Sequence, residues 1–80
     1  MQDSDDDAWL SDNCRIIGER IRAERMHRNL TQERLYLAAG VSRWVLQELE
    51  NGRGNPTLLT LLRISRALGI QLSCLVDTPE

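Results

Sequence analysis

The sequence of 80 residues contains no lysine, so its ten basic residues are all arginines. It has no apolar run that approaches the roughly 18 residues of a membrane-spanning helix. Its first residues are acidic, where a secretory signal would be basic. This length allows one small domain and no more. We therefore expect a single cytoplasmic domain that makes no use of a membrane.

Groups for catalysis or metal binding are scarce. His27 is the only histidine, Cys14 and Cys74 lie far apart, and no C-x-x-C pair or phosphate-cradling glycine loop occurs. We expect no metal, no cofactor and no enzymatic activity. The cysteines are expected to be small buried or half-buried thiols. A disulfide is the alternative, and a reducing cytosol disfavours it.

The charges are divided unevenly along the chain. Five of the twelve acidic residues fall within residues 1–12, so residues 14–80 carry seven acids against ten arginines, a charge of about +3. Residues 1–12 are predicted to form a disordered acidic tail, and residues 13–78 to form the folded domain. Arginine favours phosphate recognition through its planar fork of donors. Arginines on a helix are often only a solvated face, so this signal is weak alone.

Apolar spacing and capping residues predict an all-α fold of about five short helices. The first runs from Asn13 to about Arg28, the next two cover 32–39 and 43–50, the fourth follows Thr57, and a last turn follows Ser73 as its cap. Gly69 ends the fourth helix. Its predicted inward residues are Leu58, Leu61, Leu62, Ser65 and Leu68.

The stretch "AAGVSRWVLQELENG", residues 38–52, joins the second and third helices through a very short turn. Gly40 suits the left-handed position after a helix, and Ser42 suits the cap of the next helix. Two helices joined in this way form a helix-turn-helix, in which the second helix enters the major groove of DNA. Leu46 and Leu49 then face inward, and Val41 fills the turn.

The outward side of the third helix carries the predicted base-reading residues Arg43, Trp44, Gln47 and Glu48. Arginine can pair with guanine, glutamine with adenine, and glutamate with the amino group of cytosine. Trp44 is expected against a thymine methyl or the sugar–phosphate wall. Arg43 has a phosphate as its alternative partner. The alternative is that this is an ordinary amphipathic helix with no binding role, but a solvent-facing helix seldom exposes a tryptophan.

Contacts to the DNA backbone are expected beside this helix. Gln32 and Ser42, at two helix N-termini, can donate to phosphates, and Arg53 can reach a flanking phosphate. Arg25 lies on the apolar stripe of the first helix, where an unpaired charge is costly. Glu50 is its predicted partner. The alternative is that Arg25 extends its charged end into solvent.

Several stretches together resemble the Xre/Cro-type, lambda-repressor-like helix-turn-helix domains, over about residues 16–77. They are "IGERIRAER" (17–25), "LTQERL" (30–35), "AGVS" (39–42), "LQELENGRGNPTLLTLLRISRALGI" (46–70) and "LSCLV" (72–76). The resemblance implies a compact five-helix bundle that binds double-stranded DNA, usually as a two-fold dimer, and controls transcription. It also supports the Arg25–Glu50 pair and phosphate contacts from Gln32 and Asn51. Tyr36 and Trp44 depart from the family pattern, in which these positions are usually small.

The leading hypothesis is therefore a sequence-specific transcriptional regulator that acts as a homodimer. The end of the fourth helix and the last segment are the predicted dimer interface, or else they complete the core; they contribute Ile70, Leu72, Leu75 and Val76. The alternative function is a protein-interaction module, or an antitoxin-type partner, that keeps the fold. Tyr36, Trp44 and Leu59 would then contact a protein. The acidic tail is expected to aid solubility or to compete with DNA phosphates.

Overall fold

Five α-helices joined by short turns make up residues 3–78, the part of the chain that the computed structural model describes. They are α1 (Asp3–His27), α2 (Gln32–Ala39), α3 (Arg43–Glu50), α4 (Leu58–Leu68) and α5 (Ser73–Val76). No strand occurs between residues 3 and 78. The prediction of an all-α bundle of five helices is confirmed.

Helices α2, α3 and α4 begin and end where capping chemistry places them. Thr31, Ser42 and Thr57 are their N-caps, and each side-chain oxygen accepts a hydrogen bond from the backbone three residues later. Gly40 and Gly69 follow α2 and α4 with φ of 72° and 73°. This left-handed conformation is costly for residues with a Cβ, so these turns require glycine.

One apolar core lies among the five helices. Helix α1 packs against α3 and α5, while α2 packs against α3 and α4. The buried apolar side chains come from all five helices: Ile21, Leu35, Ala39, Leu46, Leu49, Ile64, Leu68 and Leu75. The core therefore fixes the orientation of α3 from one side only.

The inward side of α4 differs from the prediction. Leu58 and Leu62 are 64% and 43% exposed, whereas Ile64, which was not predicted to face inward, is fully buried. Ser65 and Leu68 are buried as expected. Four leucines in five positions near the start of α4 do not define one helical stripe, so several rotations of the helix fit the pattern. Packing against α2 selects the rotation that buries Ile64.

Helix α1 begins earlier than predicted. Residues 3–12, expected to be disordered, are helical, and Met1 and Gln2 lie outside the described residues. Carboxylates near a helix N-terminus stabilise the helix through its dipole, and the Asn13 side chain donates to the Trp9 carbonyl at 2.8 Å. Trp9 and Leu10 remain 56% and 53% exposed. The segment is thus a helical extension that its own core does not cover.

Helix α1 and α3 approach each other closely at Gly18. This glycine is buried, and a Cβ added to it would collide with the backbone carbonyl of Leu49. A backbone oxygen cannot rotate away as a side chain can. Gly18 therefore sets the distance between the two helices.

The last turn and Cys74 also differ from the prediction. Leu72, not Ser73, occupies the N-cap of α5, with helical φ and ψ and no side-chain cap bond. The backbone is therefore helical before α5 begins, and the Cys74 amide donates a hydrogen bond to the Gln71 carbonyl at 3.0 Å. Cys74 is exposed and Cys14 is half-buried, and both are free thiols. Within residues 3–78, no helix is both long enough and apolar enough to cross a bilayer.

Candidate nucleic-acid interface

The corner between α2 and α3 is held by backbone hydrogen bonds. The Gly40 amide donates to the carbonyls of Tyr36 and Leu37, and the Val41 amide donates to Tyr36 as well. Val41 is half-buried and packs against the core, as predicted. Ser42 then caps α3 by accepting from the Val45 amide at 3.1 Å. Helix α3 thus leaves α2 in one fixed direction.

The two sides of α3 have opposite environments. Leu46 is fully buried and Leu49 is 5% exposed, while Trp44 on the other side is 67% exposed. Arg43 and Asn51 are also exposed, and Gln47 is half-buried. The predicted reading side therefore faces outward and is open to a ligand along most of its length.

Helices α2 and α3 form a shallow open depression at the reading side. Its lining residues come from the start of both helices: Gln32, Glu33, Tyr36, Arg43 and Gln47. Tyr36 is half-buried there. Its ring therefore borders the same depression as Gln47 and Arg43. The sequence marked Tyr36 as a departure from a family pattern and, in the alternative function, as a protein contact. Its position at this depression depends on the angle between the helices, which the sequence pattern does not give.

Glu48, a predicted base-reading residue, is bonded within its own chain. Both of its carboxylate oxygens accept hydrogen bonds from Arg53, from Nε at 3.2 Å and from Nη2 at 3.1 Å. The Arg53 side chain is 64% exposed and that of Glu48 only 21%. Gly54 closes over Glu48, where an added Cβ would lie 3.3 Å from that of Glu48. The carboxylate predicted to read cytosine is therefore occupied by an arginine of its own chain.

The same pair affects the charge of the interface. Hydrogen bonding and electrostatic attraction to Glu48 raise the pKa of Arg53 above its ordinary value. Arg53 stays charged in either case, so the pair is a cation and an anion side by side. In the free protein, Arg53 consequently adds little net positive charge to this end of α3.

The predicted Arg25–Glu50 pair is formed. Arg25 donates from Nε and Nη2 to Glu50 at 2.7 and 2.9 Å, and a third donor reaches the Leu30 carbonyl at 2.8 Å. The side chains are only 12% and 3% exposed, so Arg25 does not extend into solvent. Gln32 donates to the same carboxylate at 3.1 Å. The network joins α1, α2 and α3 at the back of the reading helix.

The predicted phosphate-contact residues occupy three places around α3. Gln32 lies at the start of α2, Ser42 at the start of α3, and Asn51 with Arg53 at the end of α3. Gln32 uses one of its side-chain donors for Glu50, which leaves another N–H and the free backbone amides of the first turn. These places border the reading side at both ends.

Comparison with known proteins finds a family model and relatives that are regulators. The helix-turn-helix family model HTH_3 matches residues 21–73. An immunity repressor protein of Bacillus phage phi105 is 47% identical over 60 residues, which cover 75% of this chain but only 42% of that protein. Control protein C.BamHI of Bacillus amyloliquefaciens is 31% identical over 70 residues, which cover 85% of this chain and 86% of that protein.

A solved structure agrees in both fold and sequence. The restriction-modification controller protein C.AhdI from Aeromonas hydrophila aligns with a TM-score of 0.75 and 31% identity, over 78% of this chain and 94% of that chain. The family match includes the turn at Gly40, the outward side of α3 and the Arg25–Glu50 pair. The chain belongs to the helix-turn-helix family.

Proposed function

We propose that this protein is a sequence-specific DNA-binding regulator of transcription. The observation that carries the proposal is the environment of α3. Its inner side is anchored by Leu46 and Leu49, and its outer side presents Trp44 at 67% exposure beside the exposed Arg43. A helix held in this way can enter the major groove without any rearrangement of the core. No catalytic step, metal or cofactor is part of the proposal.

The names of the relatives support this assignment, because each one states a regulatory role for that protein. One is a phage immunity repressor, and two are control proteins, one of them a restriction-modification controller. This chain spans less than half of the repressor but 86% and 94% of the two control proteins. The proposal includes a cytoplasmic location, where a regulator of this kind would meet DNA.

Within the interface, we assign base reading to Arg43, Trp44 and Gln47. Arg43 and Gln47 border the depression between α2 and α3, where they can contact guanine and adenine edges. Backbone positioning is assigned to Gln32, Ser42, Asn51 and Arg53 at the two ends of α3. The oxygens of Glu48 are bonded to Arg53 in the free protein, so Glu48 can accept from a cytosine only after Arg53 has moved to a phosphate.

The proposal includes a homodimer, since two recognition helices about 34 Å apart match one turn of DNA. The predicted interface requires revision. Leu75 is fully buried, and Ile70 packs against the core. Val76 remains 38% exposed, and the exposed leucines of α4 are Leu58, Leu59 and Leu62. At this end of the molecule, the apolar surface available to a partner therefore lies mainly on α4 and not on the last segment.

Binding to duplex DNA at increasing salt tests the proposal. Affinity should fall steeply with salt, because contacts to phosphates release counterions. Arg53→Ala should weaken binding similarly on all sequences, whereas Gln47→Ala should change the preferred base at one position. Equal effects of both variants on sequence preference would contradict this division, and binding that does not respond to salt would contradict the function.

A protein-interaction module remains the second candidate. It is favoured by a small depression beside Trp44, which Val45, Leu49 and Pro56 also line. An apolar partner seated there would bind with little dependence on salt, unlike DNA. Purified duplex DNA and salt titration therefore separate the two functions.

A further inference from the structure

We propose that the helical extension at the start of α1 docks on the outer side of α4 in a second copy of this chain. The acidic arm is defined as residues 3–12 of α1. The α4 outer face is defined as Leu59, Leu62, Arg63 and Arg66. The proposal rests on the proposed homodimer but not on DNA binding, and it names the two surfaces that meet.

The acidic arm exposes apolar side chains that its own chain leaves uncovered. Trp9 and Leu10 are 56% and 53% exposed, although α1 is helical on both sides of them. Both follow Asp6 by a helical spacing, three and four positions later, so the three side chains lie on neighbouring parts of the helix surface. Asp7 precedes Leu10 by three positions. The arm therefore combines apolar surface with negative charge.

The α4 outer face has the complementary composition. Leu59, Leu62, Arg63 and Arg66 follow the spacing i, i+3, i+4 and i+7, which places them on one side of α4. Leu59 and Leu62 are 57% and 43% exposed. All four line a shallow open depression together with Ser65 and Ile70. This face can receive a short amphipathic helix.

Within residues 6–78, Asp6 and Asp7 of the acidic arm and the two arginines of the α4 outer face have no ion-pair partner. Among residues 6–78, the ion pairs of the structure involve Arg15, Arg25, Arg28 and Arg53, and none involves Arg63 or Arg66. Asp6 and Asp7 likewise form no ion pair in that range and are exposed. Docking would bring the two opposite charges together around a shared apolar contact.

The two surfaces also match in length. At 1.5 Å per residue, the ten residues of the acidic arm span about 15 Å, and the eight residues from Leu59 to Arg66 span about 12 Å. In a two-fold dimer each chain supplies one arm and one face, so every contact occurs twice. A second copy is therefore the occupant that satisfies both exposed surfaces at once.

The test measures the dimer dissociation constant of the full chain by sedimentation equilibrium, without DNA. Asp6→Arg with Asp7→Arg should weaken the dimer by about 10-fold or more, because attraction becomes repulsion at both copies of the contact. Arg63→Asp with Arg66→Asp should do the same. Combining all four changes restores opposite charges and should return the dissociation constant to within about 3-fold of the wild type.

A matched control reverses the charge of two arginines that lie outside both surfaces. Arg22 and Arg34 are exposed and have no ion pair within residues 6–78, so Arg22→Asp with Arg34→Asp should leave the dimer unchanged. Circular dichroism of each variant checks that the helices persist. DNA affinity is measured separately, so failure of the docking proposal leaves the proposed function testable.

Four results would overturn the proposal. A wild-type chain that stays monomeric at about 1 mM lacks the contact altogether. Loss of dimer from the α4 changes alone would indicate that α4 packs on α4 of its partner. If Asp6→Arg with Asp7→Arg changes the affinity for DNA but leaves the dimer dissociation constant unchanged, the arm lies over the reading side of its own chain. Failure of the four-residue combination to restore the dimer would show that the surfaces do not meet.

Discussion

Arg53 donates two hydrogen bonds to Glu48 across the end of the recognition helix, at 3.2 and 3.1 Å. Within this pair, Glu48 places a negative charge on the face that is proposed to meet DNA, and Arg53 offsets it. Because Arg53 is 64% exposed, solvent weakens the attraction and the guanidinium can leave it for a phosphate. Glu48 is therefore expected to limit general DNA affinity instead of reading a base.

Replacing Glu48 with glutamine tests this role. Glu48→Gln should tighten binding on all duplex sequences. The slope of the logarithm of affinity against the logarithm of salt concentration should steepen by about 1, since Arg53 is released to contact a phosphate. Fluorescence anisotropy at several salt concentrations measures both quantities. If the variant instead binds more weakly and prefers a different base at one position, Glu48 does read the DNA.

Removing one partner of the buried ion pair behind α3 should destabilise the fold strongly. Glu50→Gln leaves the buried guanidinium of Arg25 without a charged partner, which costs about 3–5 kcal/mol of unfolding free energy. For a domain of this size, that lowers the melting temperature by more than about 10 °C. Urea denaturation and thermal melting measure the two effects.

Glu24→Gln is the matched control for that experiment. Glu24 pairs with Arg28, but the two side chains are 35% and 30% exposed. Its loss should cost about 1 kcal/mol or less. Equal destabilisation by Glu24→Gln and Glu50→Gln would show that burial does not strengthen the Arg25–Glu50 pair.

Adding one methyl group at Gly18 should destabilise the bundle. Alanine normally favours a helix over glycine by about 1 kcal/mol, but at this position its Cβ meets the Leu49 carbonyl. We expect Gly18→Ala to cost about 2–3 kcal/mol as α3 is displaced.

A glycine in open space provides the control. A Cβ on Gly69 meets nothing within 4 Å, although its φ is 73°. Gly69→Ala should cost only the backbone strain, about 1–2 kcal/mol. A Gly18→Ala protein that is more stable than the wild type would contradict the close approach of α1 and α3.

Trp44 should matter for binding and not for folding. Trp44→Ala should change the unfolding free energy by less than about 0.5 kcal/mol, because the ring is exposed. It should weaken specific DNA binding by about 1–3 kcal/mol, the value of one good base contact. Leu37, which is also 67% exposed, is the control, and Leu37→Ala should leave DNA affinity unchanged. Trp44→Ala with unaltered DNA affinity would favour the protein-interaction function.

Capping residues and helical spacing predicted α2 and α3 to the residue, because the signals at Thr31, Gly40 and Ser42 are local. The Arg25–Glu50 pair was also predictable, since a charge on an apolar stripe requires a partner. The buried side of α4 was not, because its leucines fit several rotations of the helix. The close approach at Gly18 and the bonding of Glu48 to Arg53 depend on how separate segments meet. A sequence pattern carries no direct signal for either.

Selection of bound sequences from random duplex DNA tests the central claim most directly. If α3 reads the major groove, repeated rounds should enrich one short sequence, present as two inverted copies about one helical turn apart. Gln47→Ala should then change the enriched sequence at one position within each copy. Recovery of unenriched random sequences by the wild-type protein, at salt concentrations where it binds DNA, would contradict a reading role for the outward side of α3.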